Sequence, residues 1–318
     1  MRSLVIVLSL LATSFAAAQS YPNKPIRIIV PFASGAAGDT VTRMIAPRLT
    51  EALGQPIVID NRPGAGGVLG GELVAKATPD GYTLLIGSPG PLTINPVLLS
   101  KMPYDAARDL APVTLLTIVP SLLVVNPALP VRSVKDLIAL AKAKPAEINF
   151  ASAGNGSVPH LTGELFKLTT GTTAVHVPYK GSAPAITDLI GGRVTYFFDN
   201  IASALPYAKS DKLRGLAITT AARSKLVPDL PTMIEAGVPG FEAASWNAVM
   251  APAGTPGPVI SRLNAELVKV VRQPDMSERL RGLGADVVGN SPAELQAYAQ
   301  AERAKWAKVI KAARITVE

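Results

Sequence analysis

Apolar runs of strand length alternate with stretches of helical period along almost the whole of this chain, and no other feature constrains its fold as tightly. "PIRIIVPF" is followed by a helical pattern from Asp39 to Leu53. Val41, Met44, Ile45, Leu49 and Leu53 share one face of it, and Pro47 predicts a kink or a late start. "QPIVIDN" leads into "RPGAGGVLGGELVAKA", and "YTLLIGS" supplies a third strand. Farther on, "INFASAGNGSVPHLTGELFKL" repeats the order strand, turn, helix, while "AVHVPYKG", "VTYFFDN" and "LRGLAITT" add three more strands. Such alternation predicts βα units around a parallel sheet, an α/β fold. Helix boundaries are also legible. Ser133 with Asp136, and Ser291 with Glu294, have capping-box spacing; Pro292 fits a first helical turn and Pro145 a stop. Thr255-Pro256 reads as a cap followed by a first-turn proline.

"LAPVTLLTIVPSLLVVN", broken at Pro120, reads as a passage from one domain to another, and "FEAASWNAVMAPAGTPGPV" as the return. The expected division is residues 1–18 as a leader, 19–121 with 240–318 as one lobe, and 122–239 as the other. The leader has a short positive head, an apolar run from Leu4 to Phe15, and Ala16-Ala17-Ala18 as a cleavage site near Ala18. A membrane span needs about 20 apolar residues, so an uncleaved anchor is the weaker reading. The expectation is an exported protein of the bacterial periplasm, with no lipobox cysteine.

Composition removes several classes of chemistry. The 318 residues contain no cysteine and two histidines, His160 and His176, which excludes thiolate chemistry and leaves no HExxH spacing for a metal. No metal and no cofactor is expected. The net charge of +8 is spread along the chain without a basic block, a helix-turn-helix pattern or aromatic interleaving. Nucleic acid is therefore not an expected partner, and the diffuse positive field suits collection of anionic solutes.

The turns carry the chemistry. "PFASGAAGD" places Phe32, Ala33, Ser34, Gly35, Ala36, Ala37 and Asp39 where a strand passes into a helix. Nearly all of these side chains are too small for acid–base work. What they expose is backbone N–H at a helix start, where unpaired donors and the helix dipole favour an anion. A tight turn without a ligand is the plainer alternative. "NRPGAGGVLGG" repeats the device with Gly64, Ala65, Gly66 and Gly67, and matches neither the dinucleotide fingerprint nor a P-loop. "ASAGNGSVPH" is a third copy, where Ser152 and Ser157 add hydroxyls; the G-x-S-x-G elbow of a hydrolase is absent, and His160 reads as a structural histidine. In "HVPYKGSAPAITDLIGGRVTYFFDN", Tyr179, Lys180 and Gly181 form a turn before a helix. Asp199 ends a strand, either at a ligand or as a helix cap, and Lys180 and Arg193 are alternatively solvated surface charges. Small-residue turns in both halves suggest two lobes facing each other across a cleft.

Six blocks, in this order and spacing, resemble the Bug family of extracytoplasmic solute receptors, the binding components of tripartite tricarboxylate transporters. They are "YPNKPIRIIVPFASGAAGD", "NRPGAGGVLGGELVAKATPDGYTLL", "NFASAGNGSVPHLTGELFK", "HVPYKGSAPAITDLIGGRV", "PDLPTMIEAGVPGFE" and the Trp246 segment with "APAGTP". The resemblance runs from about Tyr21 to Ala312. It implies a type II periplasmic-binding fold, two α/β lobes with a ligand cleft between them. It also implies a carboxylate ligand held largely by backbone amides, small hydroxyls and ordered waters. The expectation is a non-catalytic, monomeric receptor that closes by a hinge on a small organic carboxylate. Such a receptor delivers its ligand to a large and a small integral membrane subunit. The ligand-binding residues implied are those named above from Phe32 to Asp39 and Gly64 to Gly67, with Ser88. From the second lobe come Ser152, Gly154, Gly156, Ser157, His160, Tyr179, Lys180, Gly181 and Asp199. A sensor that presents its ligand to a membrane histidine kinase shares these features, and an exported enzyme is a more distant alternative. The family often has Pro-Gly-Gly where this chain has Ser34-Gly35-Ala36, and an acidic residue at Thr195, so specificity is expected to depart at those positions.

Overall fold

The computed structural model of the protein describes residues 21–316. The expected leader, residues 1–18, lies outside them. Ten strands form one sheet: β1 (Ile26–Val30), β2 (Ile57–Asn61), β3 (Thr83–Gly87), β4 (Leu110–Val125), β5 (Asn149–Ser152), β6 (Val175–Pro178), β7 (Tyr196–Asn200), β8 (Arg214–Ile218), β9 (Ala244–Pro252) and β10 (Asp286–Val287). The helices are α1 (Ala37–Leu53), α2 (Val68–Ala75), α3 (Asn95–Leu98), α4 (Ala106–Asp109), α5 (Val134–Ala143), α6 (Val158–Thr170), α7 (Ser182–Ile190), α8 (Ile201–Lys209), α9 (Gly257–Val271), α10 (Pro274–Gly282) and α11 (Pro292–Ala313).

The strand order is β2-β1-β3-β9-β4-β7-β5-β6, with β8 and β10 also paired to β4. The βα units read from the sequence give parallel pairs at both ends: β1 with β2 and β3, and β5 with β6 and β7. The middle is antiparallel, because β4 runs against β9, β7 and β8, and β9 against β3. β4 is a single 16-residue strand that continues through Pro120. Its Leu110–Pro120 stretch pairs with β9, and Ser121–Val125 pairs with β7 and β8. The missing N–H of Pro120 thus falls where the ladder changes partners and breaks nothing.

Burial follows the same division. Ile28, Ile45, Leu49, Val249 and Leu267 pack one face of the first parallel end, and Leu123, Phe150, Phe166, Phe198 and Phe241 one face of the second. A bridging cluster joins Ile94, Leu161, Ala243, Trp306 and Val309, with α11 reaching both α3 and α6. Glu302 of α11 is buried between two indoles and accepts Nε1–H from Trp306 at 3.1 Å and from Trp246 at 3.4 Å. α11 begins with the capping box of Ser291 and Glu294. Ser133 caps α5 at the Asp136 N–H, but the Asp136 carboxylate reaches one residue further, to the Arg132 N–H. Thr255 is not a cap: its hydroxyl donates to the Pro252 carbonyl at 2.8 Å, and Pro256 occupies the cap position of α9.

Candidate functional site

The turn before α1 is held from beneath. Asp39, in the first turn of α1, is buried and accepts from the Gly35 N–H, Arg43 Nε and Asn61 Nδ2, each at 2.9 Å, with Ser34 Oγ at 3.3 Å. Asn61 Nδ2 also donates to the Phe32 carbonyl at 3.0 Å. The Arg43 hydrogen bond, aided by Gly35 and Asn61, holds the Asp39 carboxyl well below the usual carboxylate range despite burial. The left-handed residue is Gly35, at φ 86°, whereas Ala36 sits at φ −64° and ψ 159°. Alanine at 36 therefore imposes no strain, and the Ser34 hydroxyl is turned inward to Asp39.

The second turn is stranger. Gly64, Ala65, Gly66 and Gly67 all have positive φ, which three glycines make affordable. Asn95, at the start of α3, fixes it by donating to the Gly66 carbonyl at 3.1 Å. In the third turn Ser157 caps α6, its Oγ accepting from the His160 N–H and donating to the Gly154 carbonyl at 2.6 Å. His160 Nδ1 in turn accepts the Gly156 N–H at 3.1 Å. The His160 ring stacks on His176, centroids 3.8 Å apart, and His176 Nε2 lies 2.6 Å from Ser152 Oγ. Burial first, then the neighbouring His176 and Lys167, pushes His160 down to about 3. Burial and Lys167 bring His176 down to about 4. This pair is a neutral structural brace for the loop above it.

One cleft of about 670 Å³ opens over these turns, lined from both halves of the sheet. Of the residues expected at a ligand, Phe32, Ala36, Ala37, Ala65, Gly66, Ser88, Gly156 and Ser157 line it. Ala33, Ser34, Gly35, Gly64, Gly67 and Gly154 belong to the same turns but do not line it. Asp39, Ser152 and His160 are buried behind the wall as its supports. Tyr179, Lys180 and Gly181 lie off the wall as well. The Tyr179 hydroxyl donates to Asp188 at 2.8 Å, and burial together with Asp188 pushes it up to about 12. Arg193 is tied to Asp188 at 2.6 Å, and Lys180 is exposed.

Asp199 neither lines the cleft nor caps α8, whose cap is Asn200 through the Ala202 N–H. It is fully buried, accepts from Ser182 Oγ at 2.6 Å, and its Oδ2 has no partner among the described residues. Thr195, where the family resemblance fails, does not line the cleft and bonds Asn149. Sequence reasoning missed Ile94, Asn95, Leu98, Leu99, Val119, Asn200 and the β9 residues Ser245, Trp246 and Asn247, all of which line the cleft. The one signal available for them was a polar Asn247 inside an apolar strand run. No group of three or more His, Cys, Asp or Glu among the described residues is placed to hold a metal.

The model of the tripartite tricarboxylate transporter family receptor matches residues 41–315. The chain belongs to that family. BugT of Bordetella pertussis is 42% identical to this receptor over 295 residues, covering 92% of this chain and 90% of BugT. Among solved structures, an R. palustris protein with adipate shares 43% identity and a TM-score of 0.79, covering 93% of this chain and 99% of that one. MatC from Rhodopseudomonas palustris, with bound malate, shares 36% identity and a TM-score of 0.75, covering 91% of this receptor and all (100%) of MatC. The receptor's fold is accordingly the two-lobed type II periplasmic-binding fold, with an antiparallel strand pair, β4 and β9, running through its middle.

Proposed function

We propose that this receptor works in the periplasm, after removal of residues 1–18, and captures a small organic carboxylate without transforming it. Residues 19–121 with 240–318, and 122–239, act as two lobes that close on the ligand and present it to the two membrane subunits of a tripartite transporter. The observation that carries this reading is the convergence of two small-residue helix starts on one cleft. Ala36, Ala37 and Gly38 at the head of α1, and Gly156, Ser157 and Val158 at the head of α6, line the same cavity. At the head of α1 the Ala37 and Gly38 N–H groups have no intrahelical partner. At the head of α6 the Gly156, Ser157 and His160 N–H groups are taken by His160, Gly154 and Ser157 and Pro159 has none, so Val158 supplies the open donor beside the positive end of the dipole. An oxyanion reaches these donors because no large side chain stands in front.

Relatives solved with adipate and with malate support a carboxylate as the ligand. A binding role without turnover fits the side chains present. The Ser157 hydroxyl is committed to Gly154, His160 to Gly156, and the Ser152–His176 contact lies behind the wall. Calorimetry of the purified mature chain against a carboxylate panel tests the reading, with Trp246 fluorescence as a second readout. Saturable binding of a carboxylate that is recovered unchanged is the expected outcome. Conversion of the bound acid, or binding of neutral analogues alone, would refute it.

A further inference from the structure

None of the described residues that line the cleft carries a formal charge. The chain carries a net charge of +8, and its proposed ligand is an anion. The polar side chains on the wall are amides and hydroxyls; Ser88, Asn155 and Ser245 face the cleft, and several of the others are already engaged. Asn95 donates to Gly66, Asn247 Nδ2 to Thr117 at 3.0 Å, and Asn200 caps α8. The remainder of the wall is hydrocarbon: Phe32, Ile94, Leu98, Val119, Val158 and Trp246. Ile94, Leu98 and Val158 belong to the apolar cluster that bridges the two halves, so this hydrocarbon surface spans the cleft.

Resting on the carboxylate reading, we infer that the receptor selects acids with an apolar body, an aliphatic chain or ring carrying one or two carboxylates, over hydroxylated or tricarboxylic acids. Two helix starts can offset the charge of one or two carboxylates through oriented N–H groups. A third carboxylate would be buried without a cation to meet it, and a hydroxyl laid against Phe32, Ile94, Leu98 or Val119 would be taken out of water opposite hydrocarbon. A methylene laid on the same wall gains affinity about fourfold. The segment from Gly90 to Leu99 therefore sets specificity: its π-helical turn and α3 present Ile94, Leu98 and Leu99 to the ligand's body, while the small-residue turns read only its oxyanion.

The test is titration calorimetry of the mature wild-type chain at pH 7.5 with glutarate, adipate, pimelate, malate and citrate, plus adipamide as an uncharged control. Affinity should rise with methylene count and exceed that for malate and citrate by about tenfold or more. Leu98→Asn should weaken adipate about tenfold and leave malate within about twofold. Circular dichroism reports whether that variant folds, and Leu99→Asn repeats the substitution beside it. Malate or citrate binding as tightly as adipate would overturn the inference while leaving a carboxylate receptor standing. Binding of adipamide with no response to any acid would overturn both.

Discussion

Replacing Asp199 with asparagine removes a negative charge from a place without a counter-charge and keeps its shape. The side chain is fully buried, Ser182 Oγ donates to Oδ1 at 2.6 Å, and Oδ2 meets no partner among the described residues. Burial pushes its pKa up to about 6, against the opposing pull of Ser182 and the Asn200 backbone. An unfolded aspartate titrates near ~3.9, so between about pH 4 and pH 6 the folded chain keeps a proton that the unfolded chain releases. Stability from this group is therefore highest below about pH 4, falls as pH rises through that window, and is fully penalised above about pH 6. Two units at about 1.36 kcal/mol each put the penalty at roughly 3 kcal/mol. For a chain of this size that corresponds to a Tm difference of about 5 °C. D199N should thus melt about 5 °C higher than wild type at pH 7.5, with the gap shrinking steadily from about pH 6 to pH 4. Thermal unfolding followed by circular dichroism across that range measures it. A variant less stable than wild type at pH 7.5, with a gap indifferent to pH, would show that the carboxylate is satisfied and the reasoning wrong.

The two histidines should behave with the opposite sign. Their folded values of about 3 and about 4 lie below the unfolded ~6.5, so the unfolded state binds more protons and stability falls as pH drops below about 6.5. H160N and H176N should flatten that acid limb in urea titrations run from pH 7 to pH 4.5. Asp39→Ala strands the donors of Gly35, Asn61 and the half-exposed Arg43, and should cost about 2–4 kcal/mol in chemical denaturation. It should also weaken ligand binding, since the turn at the head of α1 loses its clasp. Gly163→Ala places a methyl group against the Phe150 ring inside α6, and should lower stability by about 1–3 kcal/mol in the same assay.

The βα units at both ends of the sheet were legible because their signals are local. "PIRIIVPF", the apolar face Val41, Ile45, Leu49 and Leu53, and the Ser291 capping box each depend on neighbours in sequence. Bare turns at the heads of α1 and α6 were legible for the same reason: small residues between a strand and a helix need no partner to be recognised. Which side chains stand behind those turns was not legible. Asp39, Ser152 and His160 carry polar groups beside an exposed loop, and the sequence does not say which way they turn. The direction of the Ser34 hydroxyl was equally hidden, because its partner Asp39 lies five residues on and draws it inward.

The sequence by itself determined the α/β class, the two small-residue helix starts, and the family. These follow from periodicity, turn chemistry and motif order. Only the tertiary structure decided which residues form the far walls of the cleft. β9 comes back between β3 and β4 after more than a hundred residues and brings Ser245, Trp246 and Asn247 to the site. Ile94, Leu98 and Val158 meet only because α11 draws α3 and α6 together. The missing charge on the wall is a property of that assembly. Thirty-one Lys and Arg residues are present in the chain, and which of them face the ligand is set by packing between distant elements.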